Sequence, residues 1–225
     1  MSAERLDAPG GLDVTLAALD KRARYKLLCA AVVPRPIALI TTLSPGGAVN
    51  AAPYSFFNVF SEEPPLVVVG LQSRGEGALK DTTANVRRTG EFVVNLVSEE
   101  IAEAMNICAI DYPPEVSEID AAGFTLAPSQ AVGPPAIAEA PIALECRRFL
   151  MLNVTAERDL LVGEVLRMRA RPGVVDPASH RLDLDAYRPV GRLFADLYAR
   201  QHDRFALERE SYDPARHGPR GDAAE

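Results

Sequence analysis

Apolar and polar positions divide the chain into short β-like runs with a few helical stretches between them. In residues 16–31, Leu19, Ala23, Leu27 and Ala31 recur every fourth residue, while Lys21, Arg22, Arg24 and Lys26 fall elsewhere. That spacing predicts an amphipathic N-terminal helix over Leu16 to Ala31. The run Val32-Val33-Pro34-Arg35-Pro36 ends it, because proline lacks the N–H needed to continue the ladder. The pattern then changes. From Ala31 to Gln72 only Arg35, Glu62 and Glu63 are charged among 42 residues. Ile37–Leu43 reads as a strand and Ser44-Pro45-Gly46-Gly47 as a hairpin turn. Ala48–Tyr54 then returns antiparallel, Phe56–Phe60 continues, and Leu66–Leu71 follows the break at Pro64-Pro65.

Further along, Lys80-Asp81-Thr82-Thr83 opens a helix to Arg88 with Asp or Thr as the expected N-cap, closed by Thr89-Gly90. Phe92–Val97 is a strand, and a helix from Ser98 to about Ile107 carries acids in its first turn. Residues 109–139 form a Pro-, Ala- and acid-rich excursion with one short helix expected near Val116. Pro141–Leu152 and Val154–Arg169 read as two long strands. Asp176–Leu184 reads as a turn into a short helical or irregular segment, Tyr187–Gln201. The expected fold is mainly β, with inserted helices and an N-terminal helix. Residues 1–15 read as a flexible lead-in, 16–212 as a single domain and 213–225 as a frayed tail.

Composition narrows the function classes. The 225 residues carry a formal net charge of −7, which disfavours nucleic acid as a partner because phosphate binding needs a basic surface. The three cysteines, Cys29, Cys108 and Cys146, have no CxxC pairing, so zinc and disulfide frameworks are not expected and a reducing compartment is. No signal peptide and no membrane span is expected, so the protein reads as cytoplasmic.

Two windows hold candidate chemistry. The first sets Thr41, Thr42, Asn50, Ser55 and Asn58 within an apolar block. Such groups need partners when buried, supplied by bent backbone or by a planar polar ligand. The second, Gln72 to Asn85, leads from a strand into a helix. With Arg74, Lys80, Thr82 and Thr83 it has the makings of an anion site at a helix N-terminus, or else of a polar turn and a capped helix. Gly75-x-Gly77 lacks the third glycine of a dinucleotide fingerprint, since Lys80 stands there. His180, His202 and His217 have no ligand-spaced neighbours, and no hydrolase motif is present.

In order and spacing the two windows together resemble the flavin reductase-like family with the FMN-binding split barrel. The matching stretches are Pro34-Arg35-Pro36-Ile37-Ala38, Thr41-Thr42, Asn50 through Asn58, and Glu63-Pro64-Pro65-Leu66-Val67. They continue with Lys80-Asp81-Thr82-x-x-Asn85, Gly90 through Asn95 and, more weakly, Arg192-Leu193-x-x-x-x-Tyr198. The resemblance implies a homodimeric Greek-key split β-barrel with FMN near the subunit interface. It places Thr41, Thr42, Ser55, Phe56 and Phe57 around the isoalloxazine and ribityl chain, with Asn50 and Asn58 in support. Lys80, Asp81, Thr82 and Asn85 match the phosphate side, and Arg35 either faces the phosphate or pins the strand entry. Members commonly carry two glycines where Phe194 and Ala195 stand here, which places these two on the substrate side. The implied activity is hydride transfer from NAD(P)H to FMN, with reduced flavin supplied to a partner monooxygenase. The alternatives are a flavoprotein that holds FMN tightly and acts on another substrate, or an FMN carrier or sensor without turnover. With the flavin carrying the electrons, no catalytic side chain is assigned.

Overall fold

The computed structural model describes residues 11–73, 78–113, 116–213 and 216. The lead-in and tail expectations for residues 1–10 and for most of 214–225 lie outside the described residues, as do Arg74, Gly75, Gly77 and His217.

The N-terminal helix is shorter than the apolar spacing suggests. A separate 3₁₀ turn covers Leu16–Ala18, and α1 spans Lys21–Ala31. The break falls at Asp20, whose carboxylate accepts the Ala23 N–H at 2.8 Å and so makes it the N-cap. The helix α1 lies loosely on the body, with Cys29 its buried residue.

Strands β1 (Ala38–Leu43) and β2 (Val49–Tyr54) form the expected hairpin. Gly47, at φ +82°, closes its turn with an N–H donated to Ser44 O. Strands β3 (Phe57–Glu62) and β4 (Pro65–Gln72) form a second hairpin. After α2 (Asp81–Thr89) comes β5 (Glu91–Leu96). A short 3₁₀ turn, Glu99–Ile101, leads into α3 (Ala102–Ile107). The excursion holds α4 (Glu118–Ala122), two residues beyond the expected helix near Val116, and the small pair β6 (Leu126–Ala127) and β7 (Ala136–Ile137). Strand β8 (Ile142–Thr155) runs longer than the expected Pro141–Leu152 and β9 (Arg158–Ala170) starts later than the expected Val154, because their turn falls at residues 156–157 rather than at 153.

The segment 187–201 departs from the helical or irregular expectation. After α5 (Leu184–Tyr187) it folds as an antiparallel hairpin of β10 (Val190–Arg192) and β11 (Tyr198–Arg200). Backbone bonds between Arg35 and Arg192 in both directions, at 2.9 and 2.8 Å, dock this hairpin on the entry to β1. Farther out, Glu99 accepts from Arg188, Arg200 and His202. The His202 contact foremost holds the Glu99 carboxyl below its ordinary pKa.

Seven strands make one antiparallel sheet in the order β2-β1-β5-β8-β9-β4-β3. Its edge strands, β2 and β3, are joined by only Ser55 and Phe56. In a flat sheet, six spacings of about 4.8 Å would separate them by about 29 Å. The linking chain spans at most about 11 Å. The sheet therefore curls, and at the junction the Gly70 N–H donates to Phe56 O at 2.7 Å, which continues the β3–β4 pairing by one residue. This is the split barrel, and the mainly β expectation holds.

Side-chain alternation then separates two cores. Ala38, Ile40, Val69, Leu71, Phe92, Val94, Cys146 and Leu161 fill the interior with Val86 of α2. On the outer face Leu39, Val97, Met105, Ile119, Phe124 and Ile137 pack beneath α3, α4 and the excursion. Cys29, Cys108 and Cys146 are free and buried.

Interior packing fixes one glycine. A Cβ on Gly163 would lie 2.3 Å from Cζ of the fully buried Phe92. Gly163→Ala is expected to lower unfolding free energy by about 1–3 kcal/mol through overpacking. Combined with Phe92→Leu, the loss should be smaller than the sum of the two singles, as read from denaturant midpoints.

Candidate functional site

Strand β2 carries Pro53 within its length, as suits an edge strand whose outward side pairs with no other strand. Three adjoining clefts share Pro53 and Tyr54 and form one groove beside this edge. At one end stand Asn50, Lys80, Asp81, Thr82, Asp111 and Tyr112. In a second cleft are Tyr25, Ser55, Phe56, Gln72, Lys80 and Arg158. In a third cleft, which shares Ala109 with the first and Ser55 with the second, Tyr25, Asn106, Arg192 and Tyr198 surround the same strand.

The start of α2 sets the chemistry of the first end. Lys80, rather than Asp or Thr, is the N-cap, and its side chain makes no capping hydrogen bond. The helix start stands beside the first cleft, where the helix dipole favours an anion. Thr82 Oγ1 accepts from Asn50 Nδ2 at 2.9 Å, which ties the helix start to β2. Lys80 lies 4.0 Å from Asp111, a loose surface pair of little energetic weight.

Among the residues flagged from sequence, Asn50, Ser55, Phe56, Lys80, Asp81 and Thr82 line the groove. Phe56 packs on Gly70, where a Cβ would meet Phe56 Cβ at 3.1 Å, and its ring lies 6.2 Å from that of Tyr25. Others stand behind the groove. Asn85 Nδ2 donates to Thr42 Oγ1 at 3.1 Å in a buried contact between α2 and β1. The Arg35 guanidinium donates to Cys29 O at 2.5 Å, Val32 O at 2.9 Å, Leu193 O at 2.6 Å and Ser55 Oγ at 3.3 Å. Arg35 thus pins α1, the strand entry and the β10–β11 hairpin together.

Five flagged residues lie elsewhere. Thr41 points to the outer face and donates to Pro135 O at 2.6 Å. With Asn95, which accepts the Ile137 N–H at 2.8 Å, it fastens the excursion to the sheet. Phe57 joins the interior core, and the Asn58 side chain accepts the Val59 N–H at 2.8 Å. Phe194 and Ala195 form the β10–β11 turn, where Phe194 is half exposed and neither lines the three clefts.

Sequence reasoning passed over Tyr25, Arg158, Asn106 and Tyr198 as site residues. Only Pro53 offered a local signal, marking an edge strand and hence an open side. Cys108 lines the first cleft, but burial pushes its thiol up to about 12, so it stays protonated at neutral pH.

Residues 30–184 match the family model for the flavin reductase like domain. The chain belongs to the flavin reductase-like family, whose members bind flavin. It is similar to the uncharacterized protein YwrF of Bacillus subtilis, with 40% identity over 200 residues, 86% of this chain and 96% of that one. Among solved structures it is similar to the 2-nitrobenzoate 2-nitroreductase NbaA of Pseudomonas fluorescens. The TM-score is 0.83 and the identity 38%, over 90% of this chain and 98% of that one. Nitrilotriacetate monooxygenase component B from Bacillus cereus gives a TM-score of 0.83 at 33% identity, over 89% and 100%.

The groove fits the flavin this family binds. It offers a helix start, two cations in Lys80 and Arg158, an edge strand and the aromatic rings of Tyr25, Tyr54 and Phe56.

At the hairpin tip this flavin reductase-like chain carries backbone strain. Ala195 sits at φ +49°, a conformation that glycine adopts without penalty. Ala195→Gly is expected to raise stability by about 0.5–1 kcal/mol, seen as a later denaturant midpoint with an unchanged slope.

Proposed function

We propose that this protein is an FMN-dependent oxidoreductase that takes hydride from NAD(P)H and works as a homodimer. The observation that carries the reading is the start of α2 standing at a groove that also holds Asn50, Lys80 and Thr82. In this arrangement the α2 N–H groups, Lys80 Nζ and Thr82 Oγ1 bind the phosphate, with Arg158 adding positive charge. Tyr25, Phe56 and Tyr54 flank the ring system, and the outward backbone of β2 meets its polar edge. Arg35, Thr42 and Asn85 hold these walls in place from behind.

When bound, the flavin supplies the redox chemistry by accepting hydride from the nicotinamide and passing electrons on. The chain's own work is to bind, orient and shield. That is why the groove needs no nucleophile–base pair, and why a protonated Cys108 is tolerated beside it. The homodimer is supported by apolar side chains left exposed on β3 and β8, namely Phe60, Phe149, Leu150, Leu152 and Val154. Supply of reduced flavin to a partner monooxygenase is supported by the similarity to a monooxygenase component B. A second reading, with FMN retained and electrons passed to another small substrate, is favoured by the similarity to NbaA.

The phosphate assignment is tested with Lys80→Ala combined with Thr82→Val. FMN affinity should fall by about tenfold to a hundredfold, while riboflavin affinity changes little. Equal loss for the two ligands, read by flavin fluorescence quenching, would overturn the assignment.

A further inference from the structure

The cleft beside Arg192 has an electrostatic imbalance that the flavin phosphate, placed at α2, does not answer. Arg35 and Arg192 are direct partners in an isolated antiparallel bridge. Like charges set opposite each other in this way repel unless something neutralises them. Arg35 is only 7% exposed, and its bonds run to three carbonyls and the Ser55 hydroxyl rather than to a carboxylate. Arg192 likewise has no carboxylate partner among the described residues. It lies over the Tyr198 ring at 4.5 Å and donates one Nη2–H to Ala195 O. The Tyr198 hydroxyl is anchored on Asn106 Oδ1 at 3.3 Å. The guanidinium is therefore held flat, with its remaining N–H groups available. Of the described residues that line this cleft, Arg192 is the one with a charge.

We infer that this cleft binds the carboxylate of a small aromatic acid. Arg192 receives the carboxylate, Arg35 adds positive potential from beneath through Ser55, and Tyr25, Tyr54 and Tyr198 border the ring. An arginine fork matches the two carboxylate oxygens, and stacking on Tyr198 fixes its orientation before the ligand arrives. Because the cleft shares Tyr25, Pro53, Tyr54 and Ser55 with the second cleft of the groove, an acid bound here would lie next to the flavin site. The inference names a substrate class for the proposed flavin oxidoreductase and rests on that reading only for what the bound ring meets.

The probe is benzoate, with benzamide as the neutral isostere, titrated calorimetrically against the full chain both flavin-free and FMN-loaded. Benzoate should bind about tenfold or more tightly than benzamide in both forms. Arg192→Gln should abolish that preference while leaving benzamide binding intact, and Arg192→Lys, which keeps charge without the fork, should retain part of it. Equal binding of the two probes to the wild type, no benzoate binding, or a preference that survives Arg192→Gln would each overturn the inference. Loss of benzoate binding on loading with FMN but not with riboflavin would place the flavin phosphate at these arginines and overturn it too. Flavin affinity measured on the same samples reports separately on the proposed function, which can fail or stand independently of benzoate binding.

Discussion

Everything in this protein depends on a two-residue connection. Ser55 and Phe56 join strands that lie at opposite ends of a seven-strand order, so the sheet has to curl until its edges approach. Curling creates an inside, which Phe92, Ile40 and Leu161 fill, and an outside, which the helices and the excursion cover in part. It also leaves β2 as an edge strand with one open side. The groove runs along that side, and the connection itself supplies Ser55 and Phe56 to its wall. Closure and site are thus products of the same constraint.

Two polar anchors keep the groove in shape. Arg35 ties α1, the entry to β1 and the β10–β11 hairpin through carbonyl oxygens, so elements distant in sequence share one buried guanidinium. Thr41 and Asn95 hold the excursion against the sheet from the other face. The protein is acidic overall, at −7, yet Lys80, Arg158 and Arg192 line this groove. Arg158 and Arg192 stand in clefts lined by no carboxylate among the described residues, whereas Lys80 also shares the first cleft with Asp81, Asp111 and Glu118.

The low-charge block from Ala31 to Gln72 made the first four strands legible, because buried strands have no place for charge and Gly or Pro marks each turn. The α2 window was equally legible as a strand leading into a helix. Which face each residue took was not. Thr41 and Thr42 are adjacent, so they must point to opposite sides, but only the pairing of β1 with β2 and β5 decides which side meets α2. The same alternation sends Phe56 to the groove and Phe57 to the core. The β10–β11 hairpin was hidden for another reason: its turn uses Phe194 and Ala195, and Ala195 adopts a left-handed conformation without a glycine to announce it. Tyr25, Arg158 and Tyr198 come to the groove from elements far apart in the chain, and no local pattern could have gathered them.

The central claim, that this groove holds FMN for reduction by a nicotinamide, is tested most directly under anaerobic conditions. The protein is loaded with stoichiometric FMN, NADH or NADPH is added, and the visible flavin band is followed. Bleaching by one of the nucleotides, much faster than for free FMN, is the predicted result and identifies the donor. Bound flavin that stays oxidised with both nucleotides would contradict the account.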